Sequence, residues 1–191
     1  MIRTRDISQQ HREKVIRKYR SVVGVDSAAA RALVKKLKYK DDPYLLSCIA
    51  LTYFDESRFK DDGSPRKTYD GRKMRLAERY IVKAYELKDD CIDVLWMMGK
   101  VRIGFLQWDL AAYCFERILE LGRKRISDND KCTDRSLVQV KVNDSRFALY
   151  DIYYVMGDIP KAKKYLAKFM AGLKRPGMWT LYTPLENFLH K

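Results

Sequence analysis

The strongest constraint on this chain is that it repeats itself. Residues 77–87 read AERYIVKAYEL, residues 111–121 read AAYCFERILEL, and the two align at an offset of 34 positions. Ala77 matches Ala111, Ile81 matches Phe115, Ala84 matches Ile118, Glu86 matches Glu120 and Leu87 matches Leu121. Small or apolar residues fall at helical spacing in both stretches, so each reads as a helix with one apolar face. A unit of this length holds two helices and their turns. Such a pair is too small to bury its own apolar side, so neighbouring units must stack.

The same spacing extends in both directions. In the central unit, Leu95, Met98-Gly99 and Arg102 precede Ala111, Phe115 and Ile118. An earlier unit reads Leu46, Ile49-Ala50 and Tyr53, then Ala77, Ile81 and Ala84, with its inter-helix loop lengthened over residues 55–71. A later one reads Leu149-Tyr150, Tyr153, Gly157-Asp158, Ala162, Leu166 and Phe169, after a 17-residue insertion near Gly122–Asn143. A degenerate first unit uses Ile16, Gly24, Ala28 or Ala29, and Leu33.

Taken together, these residues resemble the tetratricopeptide repeat family over about residues 10–175. Arg102 stands where that family usually has Tyr, Leu106 where a turn Gly is common, and Tyr150 where Gly is usual. The resemblance implies an all-α fold. It would be a right-handed superhelical stack of antiparallel helix pairs, with about three to four repeats and a C-terminal capping helix. The expected division of a single 1–191 domain is a degenerate repeat at 10–42, then repeats at 43–91, 92–125 and 126–175, and a cap at 176–191.

Local punctuation agrees with helices. Asp42-Pro43 is a cap followed by a first-turn proline, and Gly157 and Pro160 suit the end of one helix and the start of the next. Val138, Val140 and Val142 alternate with polar residues in the manner of a strand. An N-terminal extension of the helix carrying Leu149 is the preferred reading, because a lone strand would have no partner. Asp128-Asn129-Asp130 marks the turn before it. In the tail, Thr183-Pro184-Leu185-Glu186 is a capping box, and Phe188 and Leu189 fall on the same helical face as Leu185. That tail either caps the last repeat or lies in a groove in the manner of a ligand.

Charge is the second constraint. The chain carries a formal net charge of +14. Residues 1–40 hold twelve basic side chains against three acidic ones. Arg12, Lys14, Arg17, Lys18, Arg20, Lys35, Lys36 and Lys38 form the expected basic patch. Such a field attracts nucleic acid, anionic membrane or acidic protein without choosing among them. Tyr19 and Tyr39 interleave with it and could stack on bases.

No run approaches the ~18 apolar residues of a membrane span, and no apolar region follows the basic start as a signal peptide would require. The four cysteines, Cys48, Cys91, Cys114 and Cys132, form no C-x-x-C pair and read as reduced thiols of a cytoplasmic protein. With only His11 and His190 present, neither a zinc site nor an acid–base pair is expected. Phosphate-loop, dinucleotide and nucleophile-elbow motifs are missing, so neither an enzyme nor a cofactor is expected.

The resemblance implies where a partner would bind. First helices of tetratricopeptide pairs line a concave groove that takes a peptide. By register the lining is Tyr44, Ser47, Cys48, Leu51 and Phe54, then Asp93, Trp96, Met97, Lys100 and Ile103. From the third pair come Asp144, Phe147, Ala148, Asp151 and Tyr154. The family's clamp for a terminal carboxylate would fall on Lys14, Lys18, Cys48, Asp93 and Met97, and the last three do not fit it. The expected function is a scaffold or adaptor, chaperone-like in its grip on a peptide segment. The alternative is a basic, nucleic-acid-associated repeat protein. Self-association through repeat ends or the tail is a third expectation.

Overall fold

The computed structural model of the chain describes residues 4–60, 62–127 and 135–181. Among these residues every regular element is an α-helix: α1 (Thr4–Val22), α2 (Ser27–Lys35), α3 (Pro43–Arg58), α4 (Gly71–Leu87), α5 (Ile92–Gly104), α6 (Trp108–Ser127), α7 (Arg135–Val155) and α8 (Ile159–Leu173). The protein is thus all-helical over the described residues, and none of these helices is long and apolar enough to cross a membrane. The helices fall into two compact units, Met1–Lys88 and Asp89–Lys191.

In the first unit the helix starts are fixed by aspartates. Asp26 accepts from the Ala29 amide, Asp42 from Leu45 ahead of Pro43, and Asp70 from Arg72 and Lys73. Each carboxylate satisfies amides that have no partner within the helix. Successive helices pack on one another, α3 against α4 most extensively. The interior is built from Leu45, Leu46 and Ile49 of α3 and Met74, Ala77, Ile81 and Ala84 of α4, with Ala30 and Val34 of α2. Small residues at 77 and 84 leave room for close helix approach.

Glu56 ties three of these helices together, accepting from Arg31 of α2 at 2.7 Å and Lys73 of α4 at 2.5 Å. Burial alone would raise its pKa, but the bonds from Arg31 and Lys73 outweigh that and hold it below the usual carboxylate range. The segment between α3 and α4 is itself folded. Phe59 bridges Pro65, the Lys60 amide donates to the Ser64 carbonyl at 2.8 Å, and Asp62 accepts from both the amide and the hydroxyl of Ser64.

In the second unit, α5 is buried on every side through its first half: each residue from Ile92 to Gly99 is buried, while Lys100, Arg102 and Gly104 are partly open. Its sequence, IDVLWMMGKVRIG, is apolar around nearly the whole circumference, which suits an interior helix. Packing runs α5 on α6, α6 on α7 and α7 on α8, with a further contact between α5 and α7. The alternating valines belong to α7, a continuous helix from Arg135 to Val155, so they are helical as preferred. Gly157 turns the chain with φ of 82°, and Asp158 caps α8 through the Lys161 amide at 3.0 Å. Leu106 makes the corresponding turn between α5 and α6 with φ of 58°, left-handed although not glycine.

The expected turn at Asp128-Asn129-Asp130, Cys132, and the capping box with Phe188 and Leu189 lie outside the described residues.

Candidate functional site

In the second unit, the stripe on α7 that the register assigns to the groove runs Asp144, Phe147, Asp151, Tyr154. Asp144 and Asp151 are buried, Phe147 is half-buried and Tyr154 stands 55% exposed. An aromatic ladder accompanies this gradient. The rings of Phe147 and Tyr150 stack at 5.5 Å, and Tyr150 meets Tyr154 at 6.0 Å. Phe169 of α8 backs the ladder, with its ring 4.7 Å from Phe147. Beyond Tyr154, Val155, Met156 and Ile159 are also exposed, so the ladder opens onto an apolar rim at the α7–α8 turn.

The α5 positions are placed differently. Asp93, Trp96, Met97 and Ile103 are all buried, and only Lys100 is partly open. Trp96 meets Phe115 of α6 edge-on at 5.5 Å, so its ring fills the space between helices rather than facing a guest. Asp93 is ion-paired with Lys141 of α7, both largely inaccessible, which links α5 to α7. The same α7 face also receives a later part of the chain, because the backbone N–H of Leu181 donates to Oδ2 of Asp144 at 2.7 Å.

In the first unit, the α3 positions read as groove lining are interior too. Tyr44, Ser47, Cys48 and Phe54 are buried and Leu51 is partly exposed. The reason is that side chains from α1 lie across this face. The Tyr19 hydroxyl donates to the Cys48 carbonyl at 3.2 Å, Arg20 reaches the Tyr44 hydroxyl at 3.4 Å, and Arg12 pairs with Asp42 at 2.7 Å. Phe54 is covered by Tyr69 of the α3–α4 connection, 5.7 Å away.

The basic patch divides along the same line. Arg12 and Arg20 are engaged with α3, whereas Lys14, Arg17 and Lys18 are exposed and, with Ser21, line a shallow depression along α1. Their i, i+3, i+4, i+7 spacing puts all four on one helical face. Lys35, Lys36 and Lys38 are exposed at and beyond the end of α2. Tyr19 is 3% exposed and therefore unavailable for stacking on a base, and Tyr39 is half-buried.

One cluster was not anticipated. Glu116 of α6 accepts from Tyr153 of α7 at 2.9 Å and from Tyr165 of α8 at 3.2 Å, while Lys161 of α8 donates to the Tyr153 hydroxyl at 2.6 Å. The two tyrosine rings stack at 5.8 Å, and the Lys161 ammonium sits 3.9 Å from the centre of the Tyr153 ring. Burial would raise Glu116, but the hydrogen bonds from Tyr153 and Lys161 dominate and lower it. Burial and the neighbouring Glu116 charge push Tyr165 up to about 12. The sequence signal was weak: Tyr153 stands in the repeat register, and nothing in the spacing sets Lys161 apart. The cluster clasps three helices.

Cys48, Cys91 and Cys114 are buried free thiols, and burial pushes Cys114 up to about 12, which makes it a poor nucleophile. Among the described residues no group of three His, Cys, Asp or Glu side chains is arranged to hold a metal ion. Comparison with protein-family models, curated proteins and solved structures returned no match.

Proposed function

We propose that this protein is a helical-repeat module of the tetratricopeptide type that binds an extended peptide segment of a protein partner on the α7 face of its second unit. The observation that carries this reading is the ladder Phe147–Tyr150–Tyr154, which runs from the interior to the surface and ends in an exposed apolar rim. Contiguous exposed aromatic and apolar side chains of this kind suit protein binding, with large rings as anchors. Repeat-type packing is supported by the burial of the register positions Leu46, Ala77, Ile81, Leu95, Ala111, Phe115, Ile118, Leu149 and Ala162. The contact of α5 with α7 beyond their shared neighbour α6 also suits stacked pairs. Buried free thiols fit a reducing, cytoplasmic setting.

The test is a display library of extended peptides selected on the whole protein. A selected peptide should lose at least about tenfold in affinity to Tyr154→Ala, since ring anchors at interfaces are commonly worth more than 1 kcal/mol. The unfolding midpoint of that variant should be unchanged. Equal affinity for both proteins would remove the α7 face as the site.

A second reading rests on the exposed row Lys14, Arg17 and Lys18 with Lys35, Lys36 and Lys38. These are positioned to contact phosphates, so binding of single-stranded nucleic acid would weaken steeply with salt, and Lys14→Gln with Lys18→Gln would flatten that dependence. Burial of Tyr19 leaves only the half-buried Tyr39 to stack on a base, so the peptide reading is favoured.

A further inference from the structure

Residues 174–181, which follow α8, turn back toward α7. Lys174 ends the helix, the Met178 amide donates to the Arg175 carbonyl at 3.2 Å, and Gly177 adopts φ of 75°. This turn redirects the backbone, and three residues later the Leu181 amide reaches Asp144 on α7, 37 positions away in sequence. Asp144 is fully buried and belongs to the stripe that leads through Phe147 and Asp151 to Tyr154.

A carboxylate taken out of water must receive hydrogen bonds, and a backbone amide gives one that is independent of side-chain identity. A site built on such a bond reads an extended main chain, as sheet-edge peptide sites do. The side chains of the incoming segment are little used: Trp179 is 48% exposed and Leu181 43% exposed. The segment is therefore held by its backbone while Trp179 and Leu181 stay open and Met178 is half-buried. Such a seat contributes few buried contacts, and segments of that kind open locally at low cost.

We propose that residues 178–181 of this same chain occupy the Asp144 end of the α7 peptide site, and that a partner peptide binds by displacing them. The inference rests on the peptide-binding reading above and adds its regulation. The occupant is the protein's own C-terminal segment in cis, and the competitor is an extended peptide whose main-chain N–H replaces that of Leu181.

Two measurements test it. In the wild-type protein the Leu181 amide should exchange with deuterium at least about tenfold more slowly than in a free peptide of residues 176–191. Exchange at the free-peptide rate overturns the proposal, and this measurement needs no variant. Leu181→Pro in the whole protein removes the donor but suits an extended backbone. It should raise the affinity for labelled peptide 176–191 at least about tenfold over wild type, with the helical content unchanged. Equal affinity for the two proteins also overturns it.

The outcomes separate the two readings. A protected Leu181 amide together with no selected peptide that competes for the site leaves the tail seated and removes the peptide-binding function. An unprotected amide together with Tyr154-dependent peptide binding does the reverse.

Discussion

The ring of Phe115 lies against the backbone of Gly99, so close that a β-carbon at that position would stand 2.7 Å from two of its ring carbons. Phe115 is completely buried and cannot swing aside into solvent. Gly99→Ala would gain about 1 kcal/mol of helix propensity, whereas forcing a methyl into a packed core costs about 1–3 kcal/mol. The clash should win, with a net loss of up to about 2 kcal/mol. A lower urea midpoint at unchanged slope would show it; a midpoint at or above wild type would mean that the α5–α6 contact has slack.

The buried pair Asp93–Lys141 predicts strong non-additivity. Asp93→Ala leaves an ammonium in an interior position and should cost about 3–5 kcal/mol, while Asp93→Ala combined with Lys141→Met should recover most of that loss. A double-mutant cycle by urea denaturation measures both values. Additive losses would show that Lys141 finds water or another acceptor once Asp93 is gone.

Leu106 turns the chain with a left-handed backbone and is 66% exposed, so its side chain returns little burial for the strain. Leu106→Gly should stabilise the protein by about 0.5–1 kcal/mol, the left-handed penalty exceeding the added chain entropy of glycine. Thermal unfolding would register this as a higher midpoint, and a lower one would reveal that Leu106 packs on something that matters.

Protonation of Glu116 sets a pH dependence. Its folded-state pKa is lowered by Tyr153 and Lys161 against the effect of burial, so the stability it contributes is present above its ordinary value near 4.5 and is lost as pH falls through the lowered value. At the other end, Tyr165 is raised to about 12 from 10.0, so its contribution is intact below pH 10 and is lost as pH climbs toward 12. Denaturant midpoints measured across pH should fall at both ends. Glu116→Gln should flatten the acid limb, and an unchanged acid limb in that variant would assign the loss to other carboxylates.

Helix content and its punctuation were legible because they are local. Asp42-Pro43, Gly157 and Pro160 do in the structure what their spacing implies, and Ala77, Ala111 and Ala162 are all inaccessible, as small residues at helix crossings should be. Which face of α3 meets solvent was not legible. That face is decided by Tyr19, Arg12 and Arg20 of α1, more than twenty residues away, and no period within α3 encodes their arrangement. Trp96 was misread for a related reason. Leu95 takes the core place of the register, yet the first half of α5 is enclosed on all sides, so the adjacent position is inside as well. The Glu116–Tyr153–Lys161–Tyr165 clasp escaped because it joins three helices through residues whose types also suit other duties.

The enclosure of α5 bears on how this part of the molecule comes apart. The first half of this helix has no solvent-facing side and cannot fray independently: to free it, α6 and α7 must let go together. Its amides should therefore be the slowest to exchange in the second unit and should report the all-or-none unfolding of that unit. Tyr154, by contrast, stands at the exposed end of α7, so this unit joins an enclosed helix to an open edge.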